Sequence, residues 1–254
     1  METTSDHPRM RAVILSIVLG LLLKAGLGQS MRPVRDFIKD PDSGWLELHR
    51  MLDSATNKVE LLPGDSAKGA EALYHTQIST RSALGIVVYK TGGLLIDGGW
   101  IRVLGSGSAR LPRCMPDWNK GKTFQNYGER PAYFLVADDA IGGFFALNLG
   151  ELGKDIGAIY YLAPDNLKWE SDFSNYDDFI WFCFTGNIKK FYGDYRWKGW
   201  QHDLDTMGGD RAFYIYPPLW SKEGKDIEKD LRRAVPMEEL FNHTMEMRKQ
   251  MGIQ

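Results

Sequence analysis

From residue 41 onward, apolar positions first recur at helical spacing: Trp45, Leu48, Leu52 and Ala55 fall on one stripe, with Ser43 as the expected cap. Residues 58–62 form a short apolar run that ends at Pro63-Gly64-Asp65 and predicts a strand. Ala67, Ala70, Leu73, Tyr74 and Ile78 then return to the three-and-four spacing of a second helix. From residue 83 the pattern changes to β-branched runs at 85–89, 94–96 and 100–104, punctuated by Gly92-Gly93 and Gly98-Gly99. Two-residue glycine turns between such runs predict an antiparallel meander.

Residues 105–130 show no sustained period, and a connection of that length is more often functional or mobile than incidental. Strands are expected again at 133–137, 143–147 and 158–162. A helix opening at Ser174 should bury Tyr176, Phe179, Ile180, Cys183 and Phe184 and stop at Gly186, with a further helical turn at 187–191. Residues 213–216 read as a strand, and Pro236 opens a terminal helix with Met237, Leu240, Phe241, Thr244 and Arg248 on one side. Hairpins bounded by helices, without strand and crossover helix in alternation, predict a single α+β domain with a mainly antiparallel sheet flanked by helices.

The first residues obey a different grammar. Arg9 and Arg11 precede an apolar run at 12–23, interrupted by Ser16 and Gly20 and shorter than the roughly 20 residues of a spanning helix. With Gly26 and Gly28 as the small residues before a cleavage point, 1–28 is expected to be a signal peptide and 29–254 the folded domain. The mature chain would then be periplasmic or secreted, with no stable membrane anchor. Translation from Met31 would instead leave it cytoplasmic.

Composition narrows the chemistry. A chain of 254 residues that is 43% hydrophobic and 25% charged is neither wholly disordered nor a polytopic membrane protein. Its net charge of −2 gives no pull toward nucleic acid. Cys114 and Cys183 are too few for a disulfide framework and lack the surroundings of a catalytic thiol. Five histidines show no ligand spacing, so no metal or other cofactor is expected. The stretch 105–108, Gly-Ser-Gly-Ser, reads as a turn, with an anion cradle as the alternative.

Two features remain for function. Asp138 and Asp139 end a strand, where carboxylates can act as acid and base or simply form the turn before Gly142-Gly143; the pleat sends the two to opposite sides. Eight tryptophans supply flat surface with one donor each. Trp45 and Trp181 fall on helical stripes and read as core, whereas Trp100, Trp118 and Trp169 fall in loops or at strand edges. Trp100, Trp118, Asp138, Asp139, Tyr161 and Trp169 are therefore the expected contacts of a non-catalytic module binding a protein or small ligand. The alternative is an exported hydrolase acting on carbohydrate, which needs a second carboxylate about 5 to 9.5 Å from the first.

These residues also carry resemblances. Residues 31–38 (Met-Arg-Pro-Val-Arg-Asp-Phe-Ile), Trp45, 59–63, 80–85, 91–97, 100–107 and 235–240 (Val-Pro-Met-Glu-Glu-Leu) resemble the bacterial domain of unknown function 2625, DUF2625. That likeness implies neither an activity nor a set of catalytic residues. Residues 135–147, 157–161, Trp169-Glu170 and 176–180 are similar to the SUKH superfamily. There a glycine-bearing hairpin, a second strand and a following helix form an α+β binding scaffold, and bacterial members include immunity proteins that neutralise toxins.

Overall fold

The computed structural model describes residues 31–224 and 226–253, so the expected signal at 1–28 lies outside the described residues. The chain from Pro33 forms one compact unit. Its centre is a seven-stranded antiparallel meander in the order β1 (Val59–Pro63), β2 (Thr91–Ile96), β3 (Ile101–Leu104), β4 (Tyr133–Asp139), β5 (Phe144–Asn148), β6 (Ile159–Leu162) and β7 (Trp169–Phe173). A second, two-stranded sheet pairs β8 (Arg211–Tyr216) with β9 (Leu231–Pro236). The α+β expectation is met. Among the described residues, no helix is long and apolar enough to cross a membrane.

Helices α1 (Pro41–Asp53) and α2 (Ser66–Thr76) flank β1, and α2 is capped by Asp65, whose side chain accepts from the Ala67 and Lys68 amides. The first helix opens at Pro41 behind Asp40, two residues before the expected Ser43 cap. The run at 85–89 is no strand: α3 spans Ala83–Lys90, capped by Ser82. Leu84, Gly85, Ile86, Val87 and Val88 are all buried, and a helix apolar all round leaves no periodicity to separate it from a buried strand. The helices touch at Gly69, where a Cβ would lie 2.3 Å from the Tyr89 carbonyl oxygen. Gly92 and Gly93 are likewise not a turn but lie inside β2; only Gly98 and Gly99 make the β2–β3 connection.

The long stretch 105–130 contains α4 (Met115–Asn119) and is tied down. Fully buried Asn119 donates to the Met115 and Leu135 carbonyls and accepts from the Leu135 amide, standing in for a strand partner of β4. Beyond the sheet follow α5 (Tyr176–Thr185, capped by Asn175 rather than Ser174), α6 (Ile188–Tyr192), α7 (Trp200–Asp205) and the terminal α8 (Met237–Gln250). One sheet face packs Phe145 and Tyr161 against Phe179 of α5 and Phe191 of α6. The other packs Phe144 against Phe241 of α8, with Trp118 of α4 edge-on to the same ring. Trp181 was expected in the core but is 47% exposed, because the buried stripe of α5 runs through Phe179, Ile180 and Cys183 and leaves it outward. Trp45 is half-buried.

Candidate functional site

β4 occupies the middle of the meander, so Asp138 and Asp139 at its end are not edge residues; both are fully buried. Asp138 sits across from Arg102 in the β3–β4 register. It pairs with Arg102 Nη2 at 2.7 Å and receives a two-pronged contact from Arg113. Arg102 also donates to the carbonyls of Asp139 and Arg211, and Arg113 to that of Gly209. Burial lowers the Arg102 pKa, while Asp138 opposes that shift.

Asp139 points to the opposite face. Its Oδ1 accepts the Ile141 and Gly143 amides at 3.0 and 2.7 Å, and its Oδ2 accepts the Tyr161 and Tyr192 hydroxyls at 2.7 and 3.1 Å. Burial nevertheless raises its pKa, against the pull of those donors and of Arg102. Gly143 has no alternative here, since a Cβ would lie 2.3 Å from Asp139 Oδ2 and 2.4 Å from the Tyr161 hydroxyl. Asp139 thus fastens the β4–β5 turn to β6 and α6.

The tryptophans serve similar ends. Trp100 is fully buried with the Arg196 guanidinium 4.7 Å from its ring, and Arg196 pairs with Asp97 at 2.6 Å. Trp118 is buried between Arg113 at 4.7 Å and Lys122 at 4.1 Å. Tyr161 is buried, and only Trp169, half-buried on edge strand β7 against Tyr133, reaches solvent appreciably. Loop or edge placement was the ground for expecting contact at Trp100, Trp118, Asp138, Asp139 and Tyr161. The tertiary structure removes that ground, because each is a buried side chain that packs against an arginine or fastens a turn.

An open cleft of about 730 Å³ lies elsewhere, between α2 and the residues leading into α4. One face of α2 presents Lys68, Glu71 and His75 to it, and Cys114 and Asp117 face them. Tyr127 stacks on His75 with ring centres 3.7 Å apart and donates to Asp117 Oδ1 at 2.6 Å. Partial burial raises the Asp117 pKa, but the Cys114 thiol, the Tyr127 hydroxyl and nearby His75 and Lys120 outweigh it and keep the carboxyl below its ordinary value. The Cys114 thiol is pushed up to about 12, by burial first and Asp117 second; the Asp117 bond does the same to the Tyr127 phenol. The 105–108 stretch bordering the cleft is irregular chain that runs on from β3 beside the start of β2. The amides of Ser106, Gly107 and Ser108 donate to the Thr91, Gly92 and Leu111 carbonyls, so they are not presented to an anion.

His75, Asp117 and Tyr127 were not singled out in the sequence. The helical spacing of Lys68, Glu71 and His75 was legible, as was Cys114 three residues before Asp117. Nothing in the sequence brought the two groups together across about 40 positions. Among the described residues, no group of three or more His, Cys, Asp or Glu side chains is arranged to hold a metal ion.

A family model described as "Protein of unknown function DUF2625" matches residues 34–240. An uncharacterised protein of Haemophilus influenzae is 38% identical over 208 residues, covering 82% of this chain and 91% of the relative. The putative uncharacterised protein YbfG of Escherichia coli K12 is 38% identical over 218 residues, covering 86% of this chain and 98% of the relative.

Proposed function

We propose that this chain, which belongs to the DUF2625 family, is a non-catalytic binding module for a protein or small ligand and that its contact surface is the cleft between α2 and α4. The observation that carries the reading is Asp117. It is a carboxylate held ionised by neutral donors in an open cleft, so its remaining lone pairs can meet a donor or a cation on the ligand. The stacked His75 and Tyr127 rings add a flat wall beside it. Cys114, held protonated with a pKa of about 12, is a poor nucleophile at neutral pH, which favours recognition over covalent chemistry. The SUKH-like hairpin belongs to the same reading as a rigid scaffold, and its immunity-protein form would take a protein toxin as partner.

The hydrolase alternative loses its proposed acid and base, because Asp138 meets two arginines and Asp139 meets two phenols instead of a second carboxylate across a cleft. Titrating ¹⁵N-labelled protein with agmatine, a guanidinium and ammonium probe, tests the reading. Shifts of the Asp117, Tyr127 and His75 amides that vanish in Asp117→Asn support it. Turnover of a chromogenic ester that Cys114→Ser abolishes would overturn it. Export is proposed alongside, and an intact mass beginning at Gln29 supports it, whereas one beginning at Met1 or Met31 counts against it.

A further inference from the structure

On the Asp138 face lies a second cavity, of about 310 Å³, separated from the α2–α4 cleft by the chain at Ala109 and Pro112, which lines both. Its wall is partly apolar, through Leu95, Leu204 and Met207, and Arg102 also lines it. Arg102 is 1% exposed, and its Nε has no hydrogen-bond acceptor. The charges packed there do not balance: two guanidinium groups, Arg102 and Arg113, share the single carboxylate of Asp138. Asp139 is turned to the other face, where amides and phenols hold it, and acts on Arg102 only as a lesser electrostatic neighbour than Asp138. A buried guanidinium with an unused N–H and excess positive charge around it is stabilised by an oxyanion.

The cavity carries opposite charge too. Asp205 and Asp210 line it with exposed side chains, and neither is in an ion pair among the described residues. In water those carboxylates do little to neutralise the buried arginine pair, but they suit an ammonium group. Carboxylate recognition, ammonium recognition and an apolar wall within one small volume specify a ligand class. We propose that this cavity binds a free α-amino acid with an apolar side chain, its carboxylate toward Arg102 and its ammonium toward Asp205 and Asp210. This site is independent of the α2–α4 cleft and stands or falls without it.

Calorimetric titration of the full chain with L-alanine, L-serine, L-leucine and L-phenylalanine tests the proposal, with 4-methylpentanoate and isoamylamine as leucine lacking its ammonium or its carboxylate. Saturable binding of leucine is expected, with each single-charge analogue about tenfold weaker or worse. In the double variant Asp205→Asn, Asp210→Asn, both changes at exposed positions, leucine should weaken by about tenfold while 4-methylpentanoate does not. Met207→Trp, which fills the cavity, should abolish leucine binding without any change at the buried arginine. Failure of all four amino acids to bind at millimolar concentration would overturn the proposal. So would leucine binding that neither variant alters, or 4-methylpentanoate binding as tightly as leucine.

Discussion

Two carboxylates one residue apart at the end of β4 live in opposite chemistry. Asp138 is surrounded by permanent charge, the guanidinium groups of Arg102 and Arg113. Asp139 is surrounded by neutral donors, two amides and two phenols, and burial raises its pKa all the same. The difference teaches that buried charge here is organised by sheet face: the pleat hands Asp138 to the β8–β9 side and Asp139 to the α5–α6 side. One carboxylate holds charge, and the other holds a turn.

The sharpest way to break that contrast is Asp138→Ala. It leaves Arg102 and Arg113 buried without their shared counter-charge, and a loss of about 3 to 5 kcal/mol in urea unfolding is expected. A loss below that of Asp139→Asn would refute the contrast.

Asp139→Asn keeps an acceptor for the Ile141 and Gly143 amides while the tyrosine hydroxyls can reorient, so a cost of about 1 to 2 kcal/mol is expected. Its sign with pH is diagnostic. Because the folded carboxyl has a raised pKa, its contribution is fully present below the unfolded value and declines as pH rises through the folded one. The cost of Asp139→Asn should therefore shrink as pH rises, and a cost that grows with pH would mean that burial does not dominate.

Outside the core, the effect moves from stability to reactivity. Asp117→Asn removes the carboxylate that helps hold the Cys114 thiol at about 12, so iodoacetamide should alkylate Cys114 faster at pH 8 with little change in unfolding. An unchanged rate would show that burial alone protects the thiol.

The smallest effect belongs to Asp172, an exposed residue on edge strand β7 whose carboxyl is pushed up to about 6 by desolvation first and Glu170 second. Stability associated with it is full below the unfolded pKa and lost as pH rises through about 6. A ¹³C-carboxyl titration should show that midpoint, and Glu170→Gln should lower it; a midpoint near 4 would refute the assignment.

Much of the architecture was legible along the chain. The strands near 94–96, 133–137 and 158–162 and the terminal helix stood out because each buries one periodic face or a compact apolar run bounded by turn residues. β7 was missed because its sequence, Trp-Glu-Ser-Asp-Phe, is polar at the sheet edge, and β9 because Leu231-Arg-Arg-Ala-Val-Pro236 borrows its pairing from β8. The helix α3 was read as strand because residues buried on every side carry no period. For the sites, Asp138 and Asp139 were visible as a pair, but their partners were not: Arg102, Arg113, Tyr161 and Tyr192 come from β3, the loop before α4, β6 and α6.

By itself the sequence determined the fold class, most strands of the sheet and the opposite orientation of neighbouring carboxylates, because these follow from spacing along one chain: a period of two in strands and of 3.6 in helices. Only the tertiary structure decided which tryptophans lie inside, which arginines share one aspartate, and that His75 and Tyr127 stack beside Asp117. Those outcomes depend on burial and on charges brought within a few ångströms from distant segments. The free energy of a buried ion or an activated carboxyl is set by its neighbours in space, which no local pattern specifies.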